Sequence, residues 1–458
     1  MRAALLAGVL CLGALSLARA QGAAPQPPAP AAPPAAAQPL TLAEAHAIAL
    51  ENHPGIAAAG FRAQAEHEVY VQARAGLLPQ VSLYGSAVHA GSDNTRIMAG
   101  SLNNPSVFSR TAVGAGLSQL ITDFGHTTNL AASSRLQASA AEHTATATRE
   151  QVLLEVDRAY FATLQAQGIA GVAQQTLDTR QLLLERVSVL AENKLKSELD
   201  VSFAQVGLED ARLLQQKAQN DVDSAMAALA TVLGYRDQRL FSLADEKSVP
   251  VPQESEVGPL IEQALQGRPE LASLRDQRDA AERLARSQRD ARLPTVSAIV
   301  AAGNSPTHDA RLPDNYSAGG IVFSMPVFTG GLYEARQHEA ELRARAAAET
   351  LRTLEDEVSR DVRITWLNLN NARQRLRTTS QLRRYAATAY ELADARYRAG
   401  SSSIVELSQA QLALTAAQID ETTARYEVLL QESDLNYQIG SPAPVAAPAA
   451  APDRNALP

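Results

Sequence analysis

Eight histidines, at 46, 53, 67, 89, 126, 143, 308 and 338, are the side chains with most chemistry to offer, and zinc binding is the chemistry they would do. Zinc enzymes hold the metal on histidines one helical turn apart, in HxxxH or HExxH order. No two histidines here have that spacing, and no glycine-rich phosphate loop is present. The only cysteine, Cys11, lies in an apolar run at the N-terminus, so the rest of the chain has neither thiolate nor disulfide. The expectation is a protein that is not an enzyme and carries no cofactor and no metal. Two acids remain notable by position. Asp200 and Glu406 are 206 residues apart, and each opens a helical stretch, where the helix dipole favours a carboxylate.

That offset of 206 is general, because the chain is written twice. Pro54 follows Leu50-Glu51-Asn52-His53, and Leu78-Pro79-Gln80-Val81-Ser82 comes 25 residues after it. Pro269 follows Leu265-Gln266-Gly267-Arg268, and Leu293-Pro294-Thr295-Val296-Ser297 comes 25 residues after it. These phrases are offset by 215. Further on, Leu229–Gly234 matches Leu435–Gly440 at 206, as Tyr160 matches Trp366, a packing pair. A nine-residue difference in one loop separates the two offsets. A period near 200 residues is far above the roughly 20–50 of solenoid repeats. It marks a duplicated half-protein.

The N-terminus has the form of a secretory signal over 1–20: Arg2, an apolar run, then Ala18-Arg19-Ala20. Residues 21–39 and 441–458 are Ala/Pro-rich and read as a disordered linker and a disordered tail. Between them lie a first repeat, 40–234, a connector, 235–255, and a second repeat, 256–440. With 41 basic and 49 acidic residues the net charge is −8, and loss of Arg2 and Arg19 makes it −10, which argues against a nucleic-acid partner. No later stretch is apolar enough for a membrane helix, so a membrane span would have to be a barrel.

Each repeat reads as short helix, helix, strand pair, long helix hairpin. Thr41 and Glu44 form a capping box, and Pro54 suits a first helical turn. From Leu332 to Arg398 there is neither proline nor glycine, a helix of roughly 100 Å at ~1.5 Å per residue. Its partner spans about Thr127 to Glu192, interrupted only by Gly168 and Gly171. The hairpins cover 127–233 and 332–439. Heptads follow: Leu407, Leu414, Val428 and Leu435 with Ala410, Ala417 and Ala424, and 206 earlier Val201, Leu208, Val222 and Leu229 with Ala204, Ala211 and Ala218. This is the pattern of a left-handed coiled coil with close helix approach.

Strands are expected at about 80–90, 110–121, 294–303 and 316–328. Val81 and Leu83, then Val113, Ala115 and Leu117, then Val296, Ala298 and Val300 alternate as a barrel strand would. Turn residues are expected at Gly91–Asn94, Asn103-Asn104-Pro105, Gly303–Pro306 and Leu312–Asp314. Four strands cannot enclose a pore, so oligomerisation is required. A coiled-coil envelope protein without a pore is the alternative.

The order of elements, the proline-bounded phrases, Leu120–Gly125, Pro326–Gly331 and Arg396–Gly400 together resemble the TolC-type outer-membrane efflux proteins over about 40–440. The resemblance implies a homotrimer in the outer membrane, its lipid surrounding a 12-stranded barrel and its helices forming a periplasmic tunnel. It implies a periplasmic adaptor and an inner-membrane pump, in small-molecule efflux or type I secretion. It also implies acidic gate residues just past the helical tips. Glu406 stands where the first stands, Gln409 where some members have a second, and Asp200 is the first-half equivalent of Glu406. The adaptor would dock at the tips: Lys194, Leu195 and Ser197, and Gly400, Ser401 and Ser402. The family usually has glycine where this chain has Lys194.

Overall fold

A computed structural model describes residues 39–89, 95–99, 102–107, 109–237, 239–245, 256–307 and 313–441. The expected signal, linker and most of the tail lie outside the described residues, as do Gly91–Asn94 and Leu312.

The first half runs α1 (Leu42–Asn52), α2 (Pro54–Ala75), β1 (Gln80–Val88), β2 (Thr95–Ala99), β3 (Leu102–Val107), β4 (Arg110–Thr122), α3 (His126–Glu192) and α4 (Glu198–Val232). The second runs α5 (Val257–Gly267), α6 (Pro269–Asp290), β5 (Thr295–Thr307), β6 (Asn315–Ser324), α7 (Leu332–Arg398) and α8 (Ile404–Gln438). Equivalent helices have equal lengths: 11, 22, 67 and 35 residues in each half. Thr41 caps α1 in the expected box with Glu44, and Pro54 occupies the first turn of α2. α3 passes through Gly168 and Gly171 without a break.

Burial follows the heptads. Ala204, Leu208, Ala211, Ala218 and Leu229 are buried on α4, and Leu407, Ala417, Ala424 and Val428 on α8. The central helix is α3, with α2 and α4 packed on it, and α6 and α8 lie between it and α7. α2 continues the line of α4 where Gly234 meets the Asn52 backbone, and α6 continues α8 where Gly440 meets Gly267. Both glycines have positive φ, +85° and +68°, and the close backbone contact leaves no room for a Cβ.

Each half has its own core at matching positions. Ala49, Val152, Val156 and Leu233 anchor the first, and Ala264, Val358, Val362 and Ile439 the second. The connector joins the first core: Leu40 bridges Leu243, and the buried Tyr160 hydroxyl lies 2.9 Å from the Leu40 carbonyl and 2.7 Å from that of Ala244.

The main sheet is antiparallel, in the order β1-β4-β5-β6, with β1 and β6 as free edges. Gln80 pairs with Ser118, and Thr295 with Ser324, so the register is identical in the two halves after the offsets of 215 and 206. Cross-strand pairing collects Val81, Leu83, Val113, Leu117, Val300, Ile321 and Phe323 on one face. The other carries Ser82, Ser86, Gly114, Gly116, Gly303, Ala318 and Gly320 with Tyr84 and Tyr316, and also Ile299 and Val322. The Tyr316 hydroxyl covers Gly114 and Gly303, and the Tyr84 ring covers Gly116.

Two turn expectations are corrected. Asn103-Asn104-Pro105 lies in β3, which pairs with β2; the register slips there, so Pro105 sits at an irregularity where its missing N–H costs no ladder bond. Gly303–Pro306 lies inside β5, which runs to Thr307 because its ladder to β4 reaches Thr111. At the other end β6 stops at Ser324, two residues before Pro326.

Candidate functional site

The helices place the two hairpin tips together, at the ends of α3 and α7 remote from the strands. Leu183, Val187, Ala204, Ala393, Tyr397, Ile404 and Leu407 form one buried cluster beneath them. Both tips turn by the same device. Lys194 N–H donates to the Ala191 carbonyl and Leu195 N–H to that of Leu190, at 2.8 Å each. Gly400 N–H donates to Tyr397 (3.1 Å) and Ser401 N–H to Arg396 (2.9 Å). This is a Schellman turn, which needs a left-handed residue. Gly400 has φ +74° and Lys194 has φ +59°, a conformation that strains a residue with a Cβ.

Beyond the turns, Ser197 and Ser403 cap the next helices, and here the halves diverge. Asp200 closes a capping box: Ser197 donates to its carboxylate from the backbone (3.0 Å) and from the hydroxyl (2.8 Å). Glu406 donates only its backbone N–H to Ser403 Oγ, and its carboxylate accepts from Arg396 Nη1 at 2.9 Å. Arg396 and Glu406 lie five residues before and after Ser401. The position matching Arg396 in the first half is Leu190, so Asp200 has no cation across its tip and folds onto its own cap. Mirror symmetry about the turn was the signal that would have found Arg396.

Sequence reading also missed the contact between tips. Lys196 Nζ stands 4.1 Å from the centre of the Tyr397 ring, a cation over an aromatic face. Burial, then the Asp200 charge, pushes the Tyr397 phenol above its ordinary value, and its buried hydroxyl has no hydrogen-bond partner. One level below, buried Arg180 of α3 donates to Ser408 Oγ of α8 (3.2 Å) and lies against Gly207 of α4, tying three helices together. Of the remaining expected residues, Leu195 is 69% exposed, Ser401 Oγ donates to the Arg396 carbonyl, Ser402 Oγ to that of Ser403, and Gln409 is exposed one turn beyond Glu406. Among the described residues no three His, Cys, Asp or Glu side chains gather as a metal set.

The opposite ends of α3 and α7 are the strand junctions. Phe124 and Gly125 are left-handed, as are Gly330 and Gly331 at the equivalent positions. Asp123 accepts from Thr127 N–H (2.7 Å) and Gly125 N–H (3.2 Å); burial raises its pKa, these bonds outweigh that, and it stays below the ordinary carboxylate value.

This architecture of duplicated helix hairpins carrying a four-stranded sheet has known counterparts. The family model for outer membrane efflux proteins matches residues 47–235 and 260–441. The chain belongs to that family. TolC of Vibrio cholerae is 25% identical over 406 residues, which cover 87% of this chain and 90% of that protein. A crystal structure of a membrane protein from Pseudomonas aeruginosa matches with a TM-score of 0.77 at 21% identity, over 88% of this chain and 90% of that one. The outer membrane protein VceC of Vibrio cholerae matches at 0.75 and 18%, over 88% and 96%. As an outer membrane efflux protein the chain resides in the outer membrane, and the divided faces of its sheet suit that place. No described helix is long and apolar enough to cross a membrane.

Proposed function

We propose that this efflux protein is the passive exit duct of a multi-component export system, a homotrimer whose tips receive a periplasmic adaptor linked to an inner-membrane pump. The observation that carries the proposal is the connection of two ends by single helices. α3 and α7, each 67 residues and so roughly 100 Å long, begin at the sheet and end at the paired tips. Three copies supply twelve strands, with the apolar face to lipid and the Gly/Ser/Tyr face to the lumen. A pore-less coiled coil has no use for such a sheet.

The gate falls on Glu406. Its partly exposed carboxylate is held by Arg396, and a threefold axis would make a ring of three carboxylates at the narrow end, which favours cations where they stand nearer the axis than their arginines. Asp200 is occupied by its capping box, and Gln409 adds no charge.

Conductance of the detergent-extracted oligomer in a planar bilayer tests both statements. A small, stable, cation-preferring conductance is expected; a well-folded oligomer without conductance sinks the duct. Glu406→Gln is expected to move the reversal potential toward zero, while Asp200→Asn leaves it in place and costs about 1 kcal/mol of stability through the lost cap. An unchanged reversal potential in Glu406→Gln removes that residue from the gate.

A further inference from the structure

The duplication gives each packed position of one half a counterpart in the other, and at one place the two are filled differently. In the second half Leu274 of α6 packs with Leu351 and Leu354 of α7, in the core that holds Val358 and Val362. The counterparts, at offsets of 215 and 206, are Ala59 of α2 and Ala145 and Thr148 of α3. Three aliphatic side chains are cut short in the first half, and a cleft of about 440 Å³ lies there, lined by all three residues. Sites for small molecules run from about 300 to 1,000 Å³.

The rim of the cleft is also peculiar to this half. Arg62 and Glu66 stand one turn apart on α2 and line it. Their counterparts are Gln277 and Ala281, which carry no charge. Side chains so spaced have Cβ atoms about 5–6 Å apart and commonly pair, although Arg before Glu is the weaker order. Both are exposed, and neither has a hydrogen-bond or ion-pair partner among the described residues. Gln137 of α3 adds an amide to the same rim.

We propose that this cleft binds a short aliphatic peptide with both termini free. The peptide carboxylate meets Arg62, its ammonium meets Glu66, and its amide bonds Gln137. Leucine-like side chains take the space that Leu274, Leu351 and Leu354 fill in the other half. A dipeptide or tripeptide spans about 7–10 Å when extended, enough to reach both charges. A purely apolar guest would have no use for the charged rim, and a simple ion none for the alanine floor. α1 packs on the same stripe of α3, through Val152 and Val156. A short helix on the inner face would obstruct a duct, so the cleft opens on the outer face, to the periplasm; this placement alone rests on the duct reading. The peptide is then a ligand received from outside the wall and not cargo in the lumen.

Isothermal titration of trileucine into the full chain in lipid nanodiscs tests the proposal, since detergent alkyl chains would compete for the floor. Saturable binding is expected, weakened about fivefold when the peptide is N-acetylated or C-amidated. Arg62→Gln with Glu66→Ala gives two exposed positions the residues of the other half and should weaken binding at least as much. Ala59→Leu with Ala145→Leu and Thr148→Leu rebuilds the second-half filling and should abolish binding. Should that variant misfold, the rim variant decides. Absence of saturable binding to the natural chain overturns the proposal. Equal affinity for a peptide blocked at both ends overturns the paired-charge recognition, and unchanged binding in the filled variant overturns the cleft as its site. Planar-bilayer conductance of the same proteins separates this result from the duct. Both variants should conduct like the natural chain, and a chain that binds trileucine but does not conduct sinks the duct and leaves the cleft standing.

Discussion

The two halves of this chain have the same element lengths and the same strand register, yet they solve the same local problems with different residues. The short helices are fastened by unlike polar clasps. In the first half buried His46 meets Asp157 at 2.5 Å, joining α1 to α3. The second has Ile261 and Arg363 at those positions and instead uses Arg268, which donates to Glu270 (3.1 Å) and Gln438 (2.8 Å), with the Tyr437 hydroxyl on Glu270 (3.0 Å). Burial and the Glu270 charge push the Tyr437 phenol up to about 12. The left-handed positions also differ: Phe124 and Lys194 in the first half, Gly330 and Gly400 in the second. A duplicated fold is thus kept by spacing, registers and helix lengths, while the side chains that fasten it drift independently. What survives in both copies is whatever backbone geometry permits only one residue to do.

That rule is broken most severely at the stacked junctions. A Cβ at Gly234 would stand 2.7 Å from the Asn52 oxygen, and at Gly440 2.9 Å from the Gly267 carbonyl carbon. Gly234→Ala and Gly440→Ala are each expected to cost about 3 kcal/mol, left-handed strain plus overpacking against backbone. Gly400→Ala, with nothing within 4 Å, should cost only about 1 kcal/mol. Heat-denaturation midpoints of the detergent-solubilised protein would rank them. Equal losses at all three sites would mean that strain alone matters and that the helix stacking is loose.

The clasps give an effect of intermediate size with a pH signature. Burial raises the pKa of Glu270, but the bonds and charge of Arg268 outweigh it and hold it below the ordinary value. A depressed carboxylate stabilises the fold above its unfolded pKa, and that contribution is lost as pH falls through the folded value. Glu270→Gln is therefore expected to cost about 2 kcal/mol at neutral pH. The gap to the natural chain should close as pH falls below the ordinary carboxylate range. Denaturant midpoints at a series of pH values check this, and a gap that is constant with pH would assign the loss to packing. In the first half Gly55 stands at the equivalent position, so this carboxylate has no counterpart there.

How far these features were legible depends on whether they are local. The 67 residues of α7 could be read from the absence of proline and glycine, and α3 then followed from the offset. Gly168 and Gly171 looked like breaks and are not, because packing overrides propensity: a Cβ at Gly168 would meet Thr422 of α8. Asn103-Asn104-Pro105 has the chemistry of a turn, and only pairing with β2 makes it strand. At the tips, the left-handed state of Lys194 was legible from its match to Gly400. Arg396 opposite Glu406 was available from mirror spacing. Lys196 on Tyr397 was not, since it joins residues of two hairpins that no local pattern relates.

The smallest expected effect separates structure from function at the tips. Lys194 and Gly400 form the same turn, so the strain at Lys194, roughly 1 kcal/mol, is a cost that the second half does not carry. Lys194→Gly removes it, and glycine's extra freedom in the unfolded chain takes back part, leaving a net gain of about 0.5 kcal/mol. Gly400→Lys should lose roughly 1 kcal/mol. Retained strain points to a use for the side chain. Only four lysines occur in the chain, at 194, 196, 217 and 247, against 37 arginines, and two of the four are on this tip. If the tip receives an adaptor, Lys194→Gly should make the protein more stable and export in intact cells weaker. Opposite signs in the melting midpoint and the export rate would mark a docking residue. Stability that rises with export unchanged would make Lys194 a connector, and docking would then pass to Lys196 and the serines of the second tip.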